Sequence, residues 1–180
     1  MKGSRATLLK EICEDLPDGK FTLRNFFFQY FYKPNFRVLF NYRIGTYCSK
    51  RRFFLLRHIA RVYKYNMVVK RNCDISYRSS IGKRLVLPHP IGVVIGDGVI
   101  VKDDVTIFQQ VTLGSHGKKG QGLSYPVIES NVKIYAGAKI IGGVVIGENS
   151  IVGANTLVNK DVPPNCVAYG IPCKIKKLDK

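Results

Sequence analysis

Aliphatic residues recur every sixth position, with one interruption, along nearly half of this chain. The first series is Ile75, Ile81, Leu87, Val93, Val99, Val105 and Val111; the second is Ile128, Ile134, Ile140, Ile146, Val152 and Val158. A period of six is neither the 3.6 of a helix nor the 2 of a strand that faces one core. With 46% of the chain hydrophobic, thirteen consecutive hits have a chance probability on the order of 10⁻⁵. A short fixed period predicts a solenoid in which each coil stacks on the last. Gly82, Gly96-Asp97-Gly98, Asp103-Asp104, Gly142-Gly143, Gly147-Glu148-Asn149 and Gly153-Ala154-Asn155 supply turn chemistry between the aliphatic positions. The expected unit is therefore a triangular coil of three short strands, with parallel sheets running along the axis.

The register breaks once, between Val111 and Ile128. The segment Gly114–Pro126, rich in Gly, Lys and Ser, is predicted to loop out of one coil, and a loop extruded from a rigid scaffold is where function concentrates. Before Cys73 the pattern changes. Apolar positions there recur at three and four, which predicts amphipathic helices. One ends near Pro17-Asp18-Gly19, two more are divided by Pro34, and a last one runs from about Arg51 to Val69. The chain thus reads as a helical segment over residues 1–72 and a coil domain over residues 73–180.

Charge adds to this picture. The net charge is +17. Residues 1–72 hold 16 basic and 4 acidic side chains, and no acid occurs from Gly19 to Cys73. Such a field attracts anions. The aromatic and basic helices are expected to cap the coil end, and their Phe, Tyr, Lys and Arg content also suits peripheral contact with the inner face of a membrane. Nucleic acid is not expected, because the aromatics sit at core-like spacing and no nucleic-acid motif is present. No apolar run is long enough to span a bilayer, and acidic residues stand where the apolar part of a signal peptide would lie. Five scattered cysteines without CxxC spacing read as reduced thiols, consistent with a cytoplasmic protein.

Only three histidines are present: His58, His89 and His116. His58 lies outside the ladder and His116 on the loop, so no metal-ligand spacing arises and no metal is expected. His89, between Pro88 and Pro90 inside the ladder, is the candidate general base.

Residues 73–175 resemble the coil domain of serine acetyltransferases, within the hexapeptide-repeat acyltransferases. The resemblance rests on Cys73-Asp74-Ile75, Pro88-His89-Pro90-Ile91-Gly92-Val93-Val94-Ile95-Gly96, Gln110-Val111-Thr112-Leu113-Gly114, Ala136-Gly137-Ala138, Val152-Gly153-Ala154-Asn155-Thr156, and the ending Lys160-Asp161-Val162-Pro163-Pro164 with Gly170-Ile171-Pro172. It implies a mainly β fold, a left-handed parallel β-helix with a short N-terminal α-helical segment; the handedness comes from the resemblance alone. It implies an acetyl-CoA-dependent O-acetyltransferase with His89 as general base and Asp74 orienting it. The co-substrate contacts carried over are Gly114, Ser115, Ala136 and Ala154, with Lys118 and Lys119 as phosphate partners. A closed homotrimer is expected, with the acetyl-CoA groove between coils.

The acceptor pocket departs from the family. An aspartate precedes the catalytic histidine in serine acetyltransferases, where this chain has Pro88. An Arg-His pair on the extruded loop is replaced by Ser124 and Tyr125. Losing groups that hold an ammonium and a carboxylate leads to the expectation that the acceptor is a sugar hydroxyl of a bacterial capsule, exopolysaccharide or related glycan. Serine O-acetylation in cysteine biosynthesis is the alternative. A non-catalytic CoA-binding or scaffolding solenoid is a reading of another class. The C-terminal residues lack the isoleucine end that serine acetyltransferases use to bind cysteine synthase, so that partner is not expected.

Overall fold

The computed structural model describes residues 5–17, 19–117 and 124–178. Strands of two to four residues stack into three sheets around a triangular coil. One sheet holds β1 (Asp74–Ile75), β3 (Val94–Ile95), β6 (Thr112–Gly114), β9 (Lys139–Ile141) and β12 (Leu157–Val158). A second holds β2 (Ser80–Ile81), β4 (Ile100–Val101), β7 (Val127–Ile128) and β10 (Val145–Ile146). The third holds β5 (Thr106–Ile107), β8 (Lys133–Ile134), β11 (Ile151–Val152), β13 (Cys166–Tyr169) and β14 (Lys174–Lys177). Every pairing is parallel except that of β13 with β14, which folds back antiparallel and closes the last coil.

All thirteen aliphatics of the six-residue series are buried, none more than 7% exposed. Side chains two residues further on also face inward: Ile95, Val101, Ile107 and Leu113 are at most 2% exposed. The coil is filled by two stacked aliphatic columns per sheet, so hydrophobic burial holds it together with few charged groups inside.

The regular ladder conceals a slip. Val94 lies over Asp74 and Ile95 over Ile75, so the first coil is twenty residues long. The next coil, from Val94 to Thr112, is eighteen. The two additional residues fall between Val86, which bridges to Thr106, and Val94. The corner carrying Pro88, His89 and Pro90 is therefore widened. The six-residue count cannot detect this, because a slip of two residues exchanges one inward aliphatic for another.

Among the described residues four helices precede the coil: α1 (Arg5–Glu14), α2 (Leu23–Tyr32), α3 (Pro34–Ser49) and α4 (Phe54–Tyr65). Thr22 caps α2 by accepting from the Asn25 N–H. Pro34 opens α3, where a missing N–H costs nothing. The last helix starts at Phe54, later than Arg51, and ends in a single π-turn, Asn66–Lys70. α3 is buried on more than one side. Phe36 packs with Ile12 and Leu16, while Val38, Leu39 and Tyr42 join the core of the coil.

Arg43 fastens the helices to the coil. Its guanidinium donates to the Asp15 carboxylate (2.9 Å from Nε) and to the carbonyls of Ile81 (2.8 Å) and Gly82 (2.6 Å). Phe27, Phe28, Phe31, Phe53 and Phe54 remain exposed on α2 and around the start of α4. Among the described residues no helix is long and apolar enough to cross a membrane.

Candidate active site

His89 sits at the widened corner, where the third sheet turns into the first. Backbone hydrogen bonds fix this corner onto the chain beneath it. The Gly92 N–H donates to Asn72 O (2.7 Å), the Asp74 N–H to Val93 O (2.9 Å), and the Cys73 thiol to Pro90 O (2.9 Å). Burial pushes the Cys73 thiol up, which keeps it protonated and able to donate. Gly92 has φ +67°, a left-handed conformation that glycine adopts at no steric cost. Pro88 and His89 are exposed. They line a cleft of about 370 Å³ whose other walls include Arg37, Lys70, Arg71, Asn72 and Ile91.

Asp74, expected to orient His89, lies at the start of β1 just past the same corner of the coil below. Its Oδ1 accepts from Lys64 on α4, and Lys64 also donates to Ile75 O (3.0 Å). Among the described residues no hydrogen bond joins Asp74 to His89, and the second carboxylate oxygen of Asp74 carries none. Asp74 lines a separate cleft with Lys64, Tyr77 and Asp97.

The candidate acceptor residues divide between places. Pro88 shares the cleft with His89, but Ser124 and Tyr125 do not. The extruded segment leaves between the first and second sheets, a different corner of the triangle. Tyr125 packs over Gly96 and Gly98, where a Cβ at Gly98 would come within 2.3 Å of its ring. Ser124 covers Gly143 in the same way, at 2.8 Å. Within one chain Ser124 and Tyr125 therefore stand at a different corner of the coil from His89.

The small residues of the expected co-substrate track lie on the coil surface. Ala136 and Ala154 occupy corners between sheets, and Gly114 ends β6. A Cβ at Gly114 would meet only Ile141 Cδ1, at 4.0 Å. Packing inside the chain does not demand glycine there, which fits a position kept small for a thin ligand arm. Gly137 contrasts with it: its φ is +73° and a Cβ would lie 2.0 Å from Asn155 Oδ1, so its role is structural. Ser115 follows at the start of the loop, where its hydroxyl accepts from the Gly117 N–H (3.3 Å). Lys118 and Lys119 lie outside the described residues. Among the described residues no group of three or more His, Cys, Asp or Glu is placed to hold a metal.

The sequence reading missed the π-turn. It delivers Lys70, Arg71 and Asn72 (φ 51°) directly beneath the His89 corner. The available signal was Lys70-Arg71-Asn72 immediately before Cys73-Asp74.

Comparison with known proteins follows the same lines. The model of the bacterial transferase hexapeptide (six repeats) matches residues 125–160. Serine acetyltransferase of Buchnera aphidicola is 36% identical over 154 residues, covering 83% of this chain and 56% of that protein. The chain thus spans about half the length of the curated relatives it matches. Serine acetyltransferase of Vibrio cholerae superposes with a TM-score of 0.81 at 27% identity, over 97% of this chain and 67% of that one. The Brucella abortus serine acetyltransferase solved in complex with coenzyme A gives 0.79 at 28% identity, over 97% and 68%. The coil is a left-handed parallel β-helix preceded by helices. These relatives correct the expected glycan acceptor and its place in polysaccharide biosynthesis: they are serine acetyltransferases. The expectation rested on the neutral residues Pro88, Ser124 and Tyr125, of which only Pro88 lines the cleft with His89.

Proposed function

From a hexapeptide-repeat transferase coil that resembles serine acetyltransferases, we propose that this protein transfers an acetyl group from acetyl-CoA to the hydroxyl of L-serine. The observation that carries this reading is the placement of His89, exposed at a rigidly bonded corner, in a cleft lined by cations. His89 removes the hydroxyl proton as the serine oxygen attacks the thioester carbonyl. The tetrahedral intermediate collapses, the carbon–sulfur bond breaks, and the imidazolium returns its proton to the departing thiolate. The orienting role that the resemblance gives Asp74 requires its carboxylate to turn from Lys64 toward His89, since the two make no hydrogen bond in this structure. Release of free CoA thiol in the presence of L-serine, and its absence without an acceptor, tests the reading. Serine-independent release alone, or none, would refute it.

In this reading the pantetheine arm of acetyl-CoA runs along Gly114, Ser115, Ala136 and Ala154, where small side chains permit close approach. Replacing Gly114 by Ala narrows that track, and the added Cβ makes only an ordinary contact with Ile141 Cδ1 inside the chain. The expected result is a KM for acetyl-CoA raised about tenfold or more, corresponding to at least ~1.4 kcal/mol of lost binding, with Tm unchanged.

A homotrimer belongs to the same proposal. His89 and the pair Ser124 and Tyr125 lie at different corners of one coil, and a neighbouring copy packed three-fold would bring that pair to the cleft. Light scattering is expected to give three times the chain mass, and a monomeric yet fully active enzyme would exclude the assembly.

A further inference from the structure

The cleft beside His89 gathers three cations in one concave site. Arg37, Lys70 and Arg71 line it, and no carboxylate does. Among the described residues five other cations do pair with acids: Arg43 with Asp15, Lys64 with Asp74, Arg78 with Asp97, Lys83 with Glu14 and Arg84 with Asp104. The three cleft cations have no such partner among the described residues. Arg37 spends two donors on neutral carbonyls of α2, Tyr30 O (2.8 Å) and Phe31 O (2.6 Å). Arg71 donates to Asn66 O (3.2 Å), and its Nε is buried without a partner. Lys70, last residue of the π-turn, is exposed and makes no hydrogen bond among the described residues.

Cations gathered without counter-charge repel one another, and an anion in the cleft relieves that repulsion. The anion would lie beside His89, so it is part of the acceptor and not a distant phosphate. π-Turns are energetically poor and concentrate at functional sites; this one sets Lys70 and Arg71 at the corner where the acceptor hydroxyl must meet His89. A carboxylate accepts from several N–H donors at once and gains about twice the strength of neutral hydrogen bonds. An ammonium finds no acid in this cleft.

We propose that the acceptor is recognised through its carboxylate, by Lys70 with Arg71 and Arg37 behind it, and that its amino group contributes little. The acceptor class is then a short hydroxy acid, of which L-serine is one member. The inference rests on the acetyl-transfer reading but narrows it, and it differs from a zwitterion pocket that grips both charges.

Three compounds separate the possibilities with the full chain. L-Serine presents both charges, L-serinamide lacks the carboxylate, and 3-hydroxypropanoate lacks the ammonium. Acetylation of serinamide is expected to fall about 10- to 100-fold in kcat/KM relative to serine, the loss of one charge-assisted contact. That of 3-hydroxypropanoate should remain within about tenfold of serine. Lys70→Gln should lower kcat/KM for serine about tenfold, through KM, and narrow the gap between serine and serinamide. Calorimetric titration of 3-hydroxypropanoate into the wild-type and Lys70→Gln proteins reads carboxylate capture without turnover. Capture by the wild type that weakens in the variant, with no serine turnover, would sustain this inference and refute the proposed activity. Serine turnover with serinamide an equal substrate, or with Lys70→Gln unchanged, would overturn this inference and leave the activity standing.

Discussion

Replacing His89 by Ala is expected to lower kcat for acetyl transfer by roughly 10²–10⁴-fold, the usual contribution of a positioned general base. Folding should be untouched. His89 is exposed, and its imidazole makes no hydrogen bond among the described residues. The corner itself is held by Gly92 N–H to Asn72 O, Cys73 Sγ to Pro90 O and the β1–β3 pairing, none of which uses the imidazole. The variant should therefore keep the wild-type Tm and its affinity for CoA while losing turnover. Retained activity within tenfold would mean that the proton leaves by another route. A falling Tm would mean that the ring supports the corner and does not serve chemistry.

The second large effect concerns stability. Changing Arg43 to Met should destabilise the fold by about 3–5 kcal/mol, because it leaves a buried charge without its partner. Arg43 is 4% exposed, and the Asp15 side chain only 1%. Burial pushes the Asp15 carboxyl up even with the guanidinium beside it. Removing the guanidinium also strips the carbonyls of Ile81 and Gly82 of their donor and detaches α1 from the first coil. The midpoint of urea unfolding reads the effect, and a loss below ~1 kcal/mol would show that the pair is replaceable by water. Adding Asp15→Leu to Arg43→Met should recover much of the loss, since the orphaned charge and not the lost attraction dominates it.

The coil was legible because its physics is local and repetitive. An inward aliphatic every sixth residue and a turn residue between strands leave one economical architecture, and Ile75 through Val158 fill it. Handedness was not legible, since nothing in the spacing distinguishes the two hands. The slip at the His89 corner was hidden for a different reason. Both Val93 and Ile95 face inward, so a register shift of two costs no hydrophobic contact and leaves no mark on the pattern. Helix boundaries were approximate: Arg51 precedes α4, and the π-turn at its end depends on how the chain meets the coil.

The site was legible only in part. His89 stood out by its flanking prolines and its place in the ladder. Lys70 and Arg71 did not, because a basic pair in a basic segment carries no signal until the topology stacks Asn72 under Gly92. Neutral residues at Pro88, Ser124 and Tyr125 were read as the loss of charge recognition; of the three only Pro88 lines the His89 cleft, which Arg37, Lys70 and Arg71 reach from the helical side.

The most direct test is the mass and position of the product formed when the purified protein is given acetyl-CoA and L-serine. The account predicts one acetyl group on the serine oxygen and one free CoA thiol per turnover, with neither product from the His89→Ala variant. CoA that binds but is never released from its acetyl group, or an acetyl group that appears on the serine nitrogen, would contradict it.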